Sequence, residues 1–167
     1  MAVVFEGRKF SVEVQDVLFP NGQTHRKEIV RHVPSIVLIP FDDEGRVLLC
    51  RQYRAPLARM MWELSAGGVN AGETAEEAAR RECEEEMRLV PGTLERVGSF
   101  YPAPGFCDEQ LVFFRATNLM PPPPDSPIKP DEDEDIEVQA FTIAEAKRMV
   151  DRGEIFDLKT AYGLTLA

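Results

Sequence analysis

The chain has 167 residues, 44% of them hydrophobic and 29% charged, which leaves room for one domain with a sizeable core and excludes a disordered chain. Its formal net charge of -10 excludes general nucleic-acid binding, where affinity comes from neutralising phosphates with Lys and Arg. No apolar run reaches the roughly 20 residues that span a bilayer, and the first residues lack the basic and apolar regions of a signal peptide.

Three scattered cysteines, Cys50, Cys83 and Cys107, read as reduced thiols, so a cytoplasmic location is expected. None forms a CxxC pair, so a zinc site is not expected. The excess acid is concentrated at Glu73 to Glu86 and Asp131 to Glu137. Such runs are either solvated faces or cation sites that recruit an anionic substrate.

In chain order, Phe10, Val12 and Val14 alternate with Ser11, Glu13 and Gln15, the period of a half-buried strand. Pro20-Asn21-Gly22 turns the chain and Thr24 to His32 returns, making a hairpin. Ser35 to Pro40 is a continuous apolar run, expected for a strand buried on both faces. A turn at Asp42 to Gly45 leads into a strand from Val47 to Tyr53. Gly67 to Gly72 has the composition of a loop. Thr74 and Glu77 form a capping box for a helix over Ala75 to Arg88, with Ala75, Ala79, Cys83 and Met87 as its apolar stripe and Pro91-Gly92 as its stop.

Leu94 to Phe100 and Gln110 to Thr117 read as strands. Six prolines between Asn118 and Pro130 forbid both helix and central strand there. Ile136 to Phe141 is a further strand, and Thr142 with Glu145 caps a second helix that Gly153 stops. No repeat or clear domain boundary interrupts the pattern. Mixed strands with two helices predict one α/β or α+β domain.

Glu82, Glu85 and Glu86 stand at i, i+3 and i+4, so their carboxylates share a helix face. Like charges at this spacing repel unless a divalent cation relieves them. Oxygen-only ligands suit Mg²⁺ or Mn²⁺, and magnesium bridges readily to phosphate oxygens. A solvated acidic face is the alternative.

Gly67, Glu73, Arg81, Glu82, Cys83, Glu85, Glu86 and Leu89 fit the spacing G-x5-E-x7-R-E-U-x-E-E-x-G-U, with U apolar. This resembles the signature of the Nudix hydrolases over 23 residues, with Arg88 standing where the family has its last glycine. The resemblance implies a Nudix α/β/α sandwich with a mixed central sheet over residues 34–167. It also implies that Glu82 and Glu86 are the principal metal ligands, joined by Glu85 and the Ala66 carbonyl. Arg81 would pair with Glu73 to hold loop to helix.

Outside the box, Arg51-Gln52-Tyr53-Arg54, Trp62 to Gly67, Pro104-Gly105-Phe106 with Glu109, the acidic run Asp131 to Val138, and Lys159-Thr160 are similar to ADP-ribose pyrophosphatases. The reaction this implies is attack of water on one phosphorus of ADP-ribose, giving AMP and ribose 5-phosphate, with two or three Mg²⁺ ions. Glu132, or else Glu134, would be the general base, and Glu85 is a third candidate for a catalytic carboxylate. Arg54 and Arg51 are placed as substrate-binding, Arg54 on the diphosphate because a guanidinium suits bidentate phosphate recognition. Glu109 would take a ribose hydroxyl, and Trp62 either stacks on the base or packs. His25 and His32, far from the box in sequence, receive no role.

The N-terminal β-hairpin, within residues 1–33, would build a homodimer that helps complete the pocket. Two other readings stay open: a Nudix hydrolase of a nucleoside diphosphate sugar, CDP-alcohol or dinucleotide, and a Nudix-like nucleotide sensor without hydrolysis. The intact Arg81, Glu82, Glu85 and Glu86 set argues against the sensor. Neither nucleic acid nor membrane is an expected partner.

Overall fold

A computed structural model of the protein describes residues 2–129 and 136–167. Its strands are β1 (Ala2–Glu6), β2 (Phe10–Leu18), β3 (Thr24–His32), β4 (Ser35–Pro40), β5 (Val47–Arg54), β6 (Arg59–Glu63), β7 (Ala66–Gly68), β8 (Val90–Phe100), β9 (Leu111–Met120) and β10 (Glu137–Phe141). The helices are α1 (Ala75–Met87), α2 (Ile143–Asp151) and α3 (Leu158–Leu166).

Alternation of side chains along the inner strands builds two apolar layers from one stretch of sequence. Val37, Ile39, Val47, Leu49, Leu111 and Phe113 face α2 and α3, packing on Ala146, Met149 and Leu164. Their neighbours Ile36, Leu38, Leu48, Cys50, Val112 and Phe114 face α1, packing on Ala78, Ala79, Cys83 and Met87. Strand β4 is therefore buried along its whole length, as its unbroken apolar run requires. The result is the expected α/β/α sandwich, with mixed pairing: β4 runs parallel to β9 and antiparallel to β7. The strands divide into the orders β7-β4-β9-β8 and β10-β5-β6, and a separate sheet holds β1-β2-β3.

Several boundaries differ from the sequence expectation. The N-terminal hairpin gains β1 as a third strand, paired with β2. The presumed loop at Gly67 begins instead as β7, because Ala66 and Gly67 complete the ladder opposite Val37 and Ile36. Pro91-Gly92 does not stop α1. The helix ends at Arg88, which adopts the left-handed conformation (φ 56°) and bonds its N–H to the carbonyls of Cys83 and Glu84, while Pro91 and Gly92 already belong to β8. Strand β9 runs on to Met120, so the proline-rich loop starts later than its composition suggests. At α2 only half of the capping box forms, Glu145 N–H donating to Thr142 Oγ1. Helix α3 is a third helix, opened by Asp157, which accepts from the Thr160 N–H. Among the described residues no helix is long and apolar enough to cross a membrane.

The N-terminal sheet is tied to the sandwich at one place. Val30 N–H donates to the Phe106 carbonyl and Asp108 N–H to the Val30 carbonyl, while Asp108 accepts from Arg31 and from the His32 N–H.

Candidate active site

Helix α1 starts with a complete capping box, Thr74 and Glu77 satisfying each other's exposed N–H groups. Its register turns Ala79, Cys83 and Met87 inward and brings Arg81, Glu82 and Glu85 together on the flank nearest β7. Arg81 is the hub. Its Nε and Nη2 grip Glu73 at 2.9 and 3.0 Å, and Nη2 also donates to the Gly68 carbonyl at 2.9 Å. Nη1 lies 2.6 Å from Glu82 Oε1 and 2.7 Å from Glu85 Oε2. The expected Arg81–Glu73 pair therefore forms, and it fastens loop to helix. Hydrogen bonds from Glu73, followed by those from Glu82 and Glu85, raise the Arg81 pKa further above its ordinary value. Glu73 is held below its own, chiefly by the Arg81 hydrogen bonds.

At Gly67 an added Cβ would fall on the Glu82 carboxyl group and displace it. The glycine thus lets that carboxylate lie against β7. Glu86, at 8% exposure, points inward beside two thiols. Burial, then the Glu86 charge, pushes both thiols up, Cys83 to about 12.

Two carboxylate oxygens meeting at one nitrogen next to a backbone carbonyl form a hard, all-oxygen donor set, which fits Mg²⁺ or Mn²⁺. Among the described residues no three His, Cys, Asp or Glu side chains are already grouped around one point. Arg81 occupies the convergence of Glu82 and Glu85, offsetting the repulsion that their spacing creates.

The cleft beside this helix has a volume of about 760 Å³. Its walls include Glu82, Glu85, Gly67 and Arg81 at one side, Ser35 and Glu109 along the floor, and Arg54, Asp157 and Lys159 from β5 and the start of α3. Glu109 accepts from Ser35 Oγ at 2.8 Å, and His32 Nδ1 lies 3.7 Å from it. Arg54 is not a free guanidinium: Nε and Nη2 bond both oxygens of Glu63 at 2.7 and 2.8 Å.

Of the residues nominated from sequence, Ala66, Glu82, Glu85, Arg54 and Glu109 line this one cleft. Glu86, Arg51 and Trp62 do not: Glu86 is buried under the helix, the Arg51 guanidinium sits 5.8 Å from the Trp62 ring, and Trp62 packs edge-on against Phe141. Glu132 and Glu134 lie outside the described residues. The exclusion of His32 on grounds of sequence distance is corrected, because β3 carries it into the cleft wall. Arg8, Lys9, Ser35, Asn70 and Asp157 also line the cleft and had no sequence signal. Glu63 had one, a lone acid between the apolar residues Trp62 and Leu64 in a segment leading into the box.

Comparison with known proteins agrees with this geometry. The family model for the NUDIX domain matches residues 31–160. An ADP-ribose pyrophosphatase of Bacillus subtilis is 36% identical over 161 residues, covering 96% of this chain and 86% of that protein. An ADP-ribose pyrophosphatase of Mycobacterium tuberculosis is 35% identical over 150 residues (89% and 72%), and a methanol dehydrogenase activator of Bacillus methanolicus is 35% identical over 157 (94% and 84%). A crystal structure of an ADP compounds hydrolase superposes with a TM-score of 0.84 over 99% of this chain and 88% of that one, at 24% identity, a likeness of fold. Nudix hydrolases generally use divalent metal ions, which is what the convergence of Glu82 and Glu85 beside Gly67 suits. With the domain matched over most of its length and relatives at more than one-third identity, the chain belongs to the Nudix hydrolase family.

Proposed function

We propose that the protein hydrolyses ADP-ribose to AMP and ribose 5-phosphate with Mg²⁺. The observation that carries this reading is the meeting of the Glu82 and Glu85 oxygens beside Gly67 in a cleft that Arg54 and Lys159 also line. A diphosphate has the length and charge to lie between an acid-bound metal and such a wall, and about 760 Å³ accommodates a nucleotide with a second sugar. The relatives named ADP-ribose pyrophosphatases favour this substrate over sugar nucleotides, CDP-alcohols and dinucleotides.

In this reading Glu82, Glu86, Glu85 and the Ala66 carbonyl would hold the metal, which when bound would supply charge neutralisation and activation of water. Arg54 binds the diphosphate through the Nη1 donors that Glu63 leaves over, and Glu109 orients a ribose hydroxyl. A new P–O bond forms from water and the bridging P–O bond breaks. The water proton passes to a carboxylate, assigned to Glu132 with Glu134 as second choice. Arg51 and Trp62, outside the cleft lining, are assigned no contact within one chain. The decisive experiment is the rate of AMP release from ADP-ribose against that from UDP-glucose, with and without Mg²⁺. Metal-dependent preference for ADP-ribose is expected, and equal or faster cleavage of UDP-glucose overturns the assignment.

A homodimer through the N-terminal sheet is part of the same proposal. Strand β1 is exposed throughout and carries Val3, Val4 and Phe5, with Phe10 next to them on β2, an apolar face that a second copy would bury. Sedimentation should give twice the chain mass, and Val4→Glu with Phe5→Glu should halve it. A wild-type monomer at micromolar concentration excludes the dimer. Three free thiols support a cytoplasmic location.

A further inference from the structure

Glu63 is 2% exposed, deeper than any other carboxylate among the described residues. It sits at the end of β6 and is shared by two cations, one nine residues before it and one 96 residues after it. Arg54 binds both of its oxygens, and Lys159, at the start of α3, donates to Oε2 and also to Asp157 Oδ2 at 2.9 Å. Asp157 in turn accepts from the Thr160 N–H and hydroxyl, and the same hydroxyl accepts the Leu64 N–H. Two cations and two carboxylates thus cancel in charge, and every carboxylate is bonded.

Burying a carboxylate with its ionic partners is a poor way to stabilise a fold, since apolar residues of similar volume often do as well or better. What the cluster does achieve is orientation. Arg54 and Lys159 line the large cleft while Glu63 lies behind them. Glu63 occupies only Nε and Nη2 of Arg54, and Nη1 makes no hydrogen bond among the described residues. Lys159 likewise uses two of its three donors. A guanidinium gripped on one edge by a buried carboxylate keeps its other edge at a fixed angle, so little rotamer entropy is lost when an anion binds there.

We propose that Glu63 is a positioning residue: its buried carboxylate holds Arg54 and Lys159 on the cleft wall with their remaining N–H donors set to receive a diphosphate. The assignment rests on the diphosphate reading above. It goes beyond that reading by making a residue that touches no substrate a determinant of affinity.

The test is a double-mutant cycle read by calorimetric binding of ADP in the presence of Mg²⁺, with thermal melts run alongside. Glu63→Gln should weaken ADP by about tenfold or more, the scale of a lost hydrogen bond to a charged group. In an Arg54→Ala background the same substitution should cost about threefold or less, because its effect passes mainly through Arg54. Equal losses in both backgrounds, or unchanged affinity in Glu63→Gln, overturn the proposal and leave Glu63 a structural residue. If Glu63→Gln does not fold, Arg54→Lys decides: it keeps the charge but not the two-pronged grip, so affinity equal to wild type overturns the proposal and a loss of about tenfold supports it. Turnover of ADP-ribose by the wild type separates the two levels. A protein that binds ADP but leaves ADP-ribose intact fails the substrate assignment while the cycle still judges Glu63.

Discussion

Two charge clusters contribute side chains to the cleft, and they are built in opposite ways. The Arg81 cluster draws Glu73, Glu82 and Glu85 from thirteen residues of sequence onto a partly buried guanidinium. The Glu63 cluster draws Arg54 from a neighbouring strand and Asp157 and Lys159 from the start of α3 onto a carboxylate that is almost wholly buried. In the first a cation is crowded by acids, an arrangement ready to exchange that cation for another. In the second the charges balance, which favours permanence. One side of the cleft is organised to take up a metal and the other to stay still.

The largest expected effect comes from the buried carboxylate one residue beyond Glu85 in the first cluster. Glu86→Gln keeps the side-chain shape and should lower kcat on the order of 10³-fold, the scale of removing one strong electrostatic contribution to a transition state; near-normal turnover would remove Glu86 from the metal set. The contrast is then sharpened by a melt. Mg²⁺ at about 100 times its Kd should stabilise the folded protein by about 2.7 kcal/mol. Glu82→Gln should abolish most of that shift while Glu63→Gln leaves it in place, and loss in both would show that the clusters act as one.

Acid tests both clusters next. Burial alone would push the Glu63 carboxyl up, but hydrogen bonds and charge from Arg54 and Lys159 outweigh it and hold it below its ordinary value of 4.5. Glu73 is depressed mainly by Arg81. A carboxylate depressed in the folded state contributes stability that is complete above pH about 4.5 and is lost as pH falls through the folded pKa. Stability should therefore be level above pH 5 from these two groups and decline below it. Glu63→Gln or Glu73→Gln should each flatten that decline in chemical-denaturation curves, and an unaltered slope would contradict the ion pairs described. The smallest effect lies outside both clusters, at Arg88, the C-cap of α1. Its left-handed backbone costs roughly 1 kcal/mol in a residue with a Cβ, so Arg88→Gly should stabilise by up to that amount, less the lost hydrogen bond to the Ile128 carbonyl.

The same contrast explains what could be read from sequence. Helix α1 and its cap at Thr74 depend on residues three to four positions apart, so spacing revealed them, while the Arg81–Glu73 pair, eight positions apart, was implied by the resemblance to the Nudix signature. The buried strands β4 and β5 announced themselves as apolar runs. The Glu63 cluster joins positions 54, 63 and 159, a closure made by folding that leaves no periodic trace. His32 entered the cleft wall for a similar reason: Asp108, far along the chain, accepts its N–H and fixes where β3 ends. Helix α3 was missed because its apolar face is interrupted by Gly163, where a Cβ would run into Leu64, so a strong helix former has no place there. Strand β7 was hidden by its glycines, which read as loop until the ladder with β4 is seen.

Gly67 gives that last point a practical edge. A single methyl group at this position would occupy the volume of the Glu82 carboxylate, so alanine there acts as a plug built into the chain. Such a variant keeps every ligand and every charge of the wild type, yet it should be unable to seat the ion they surround. The vacancy left by a missing side chain is, in this cleft, a working part.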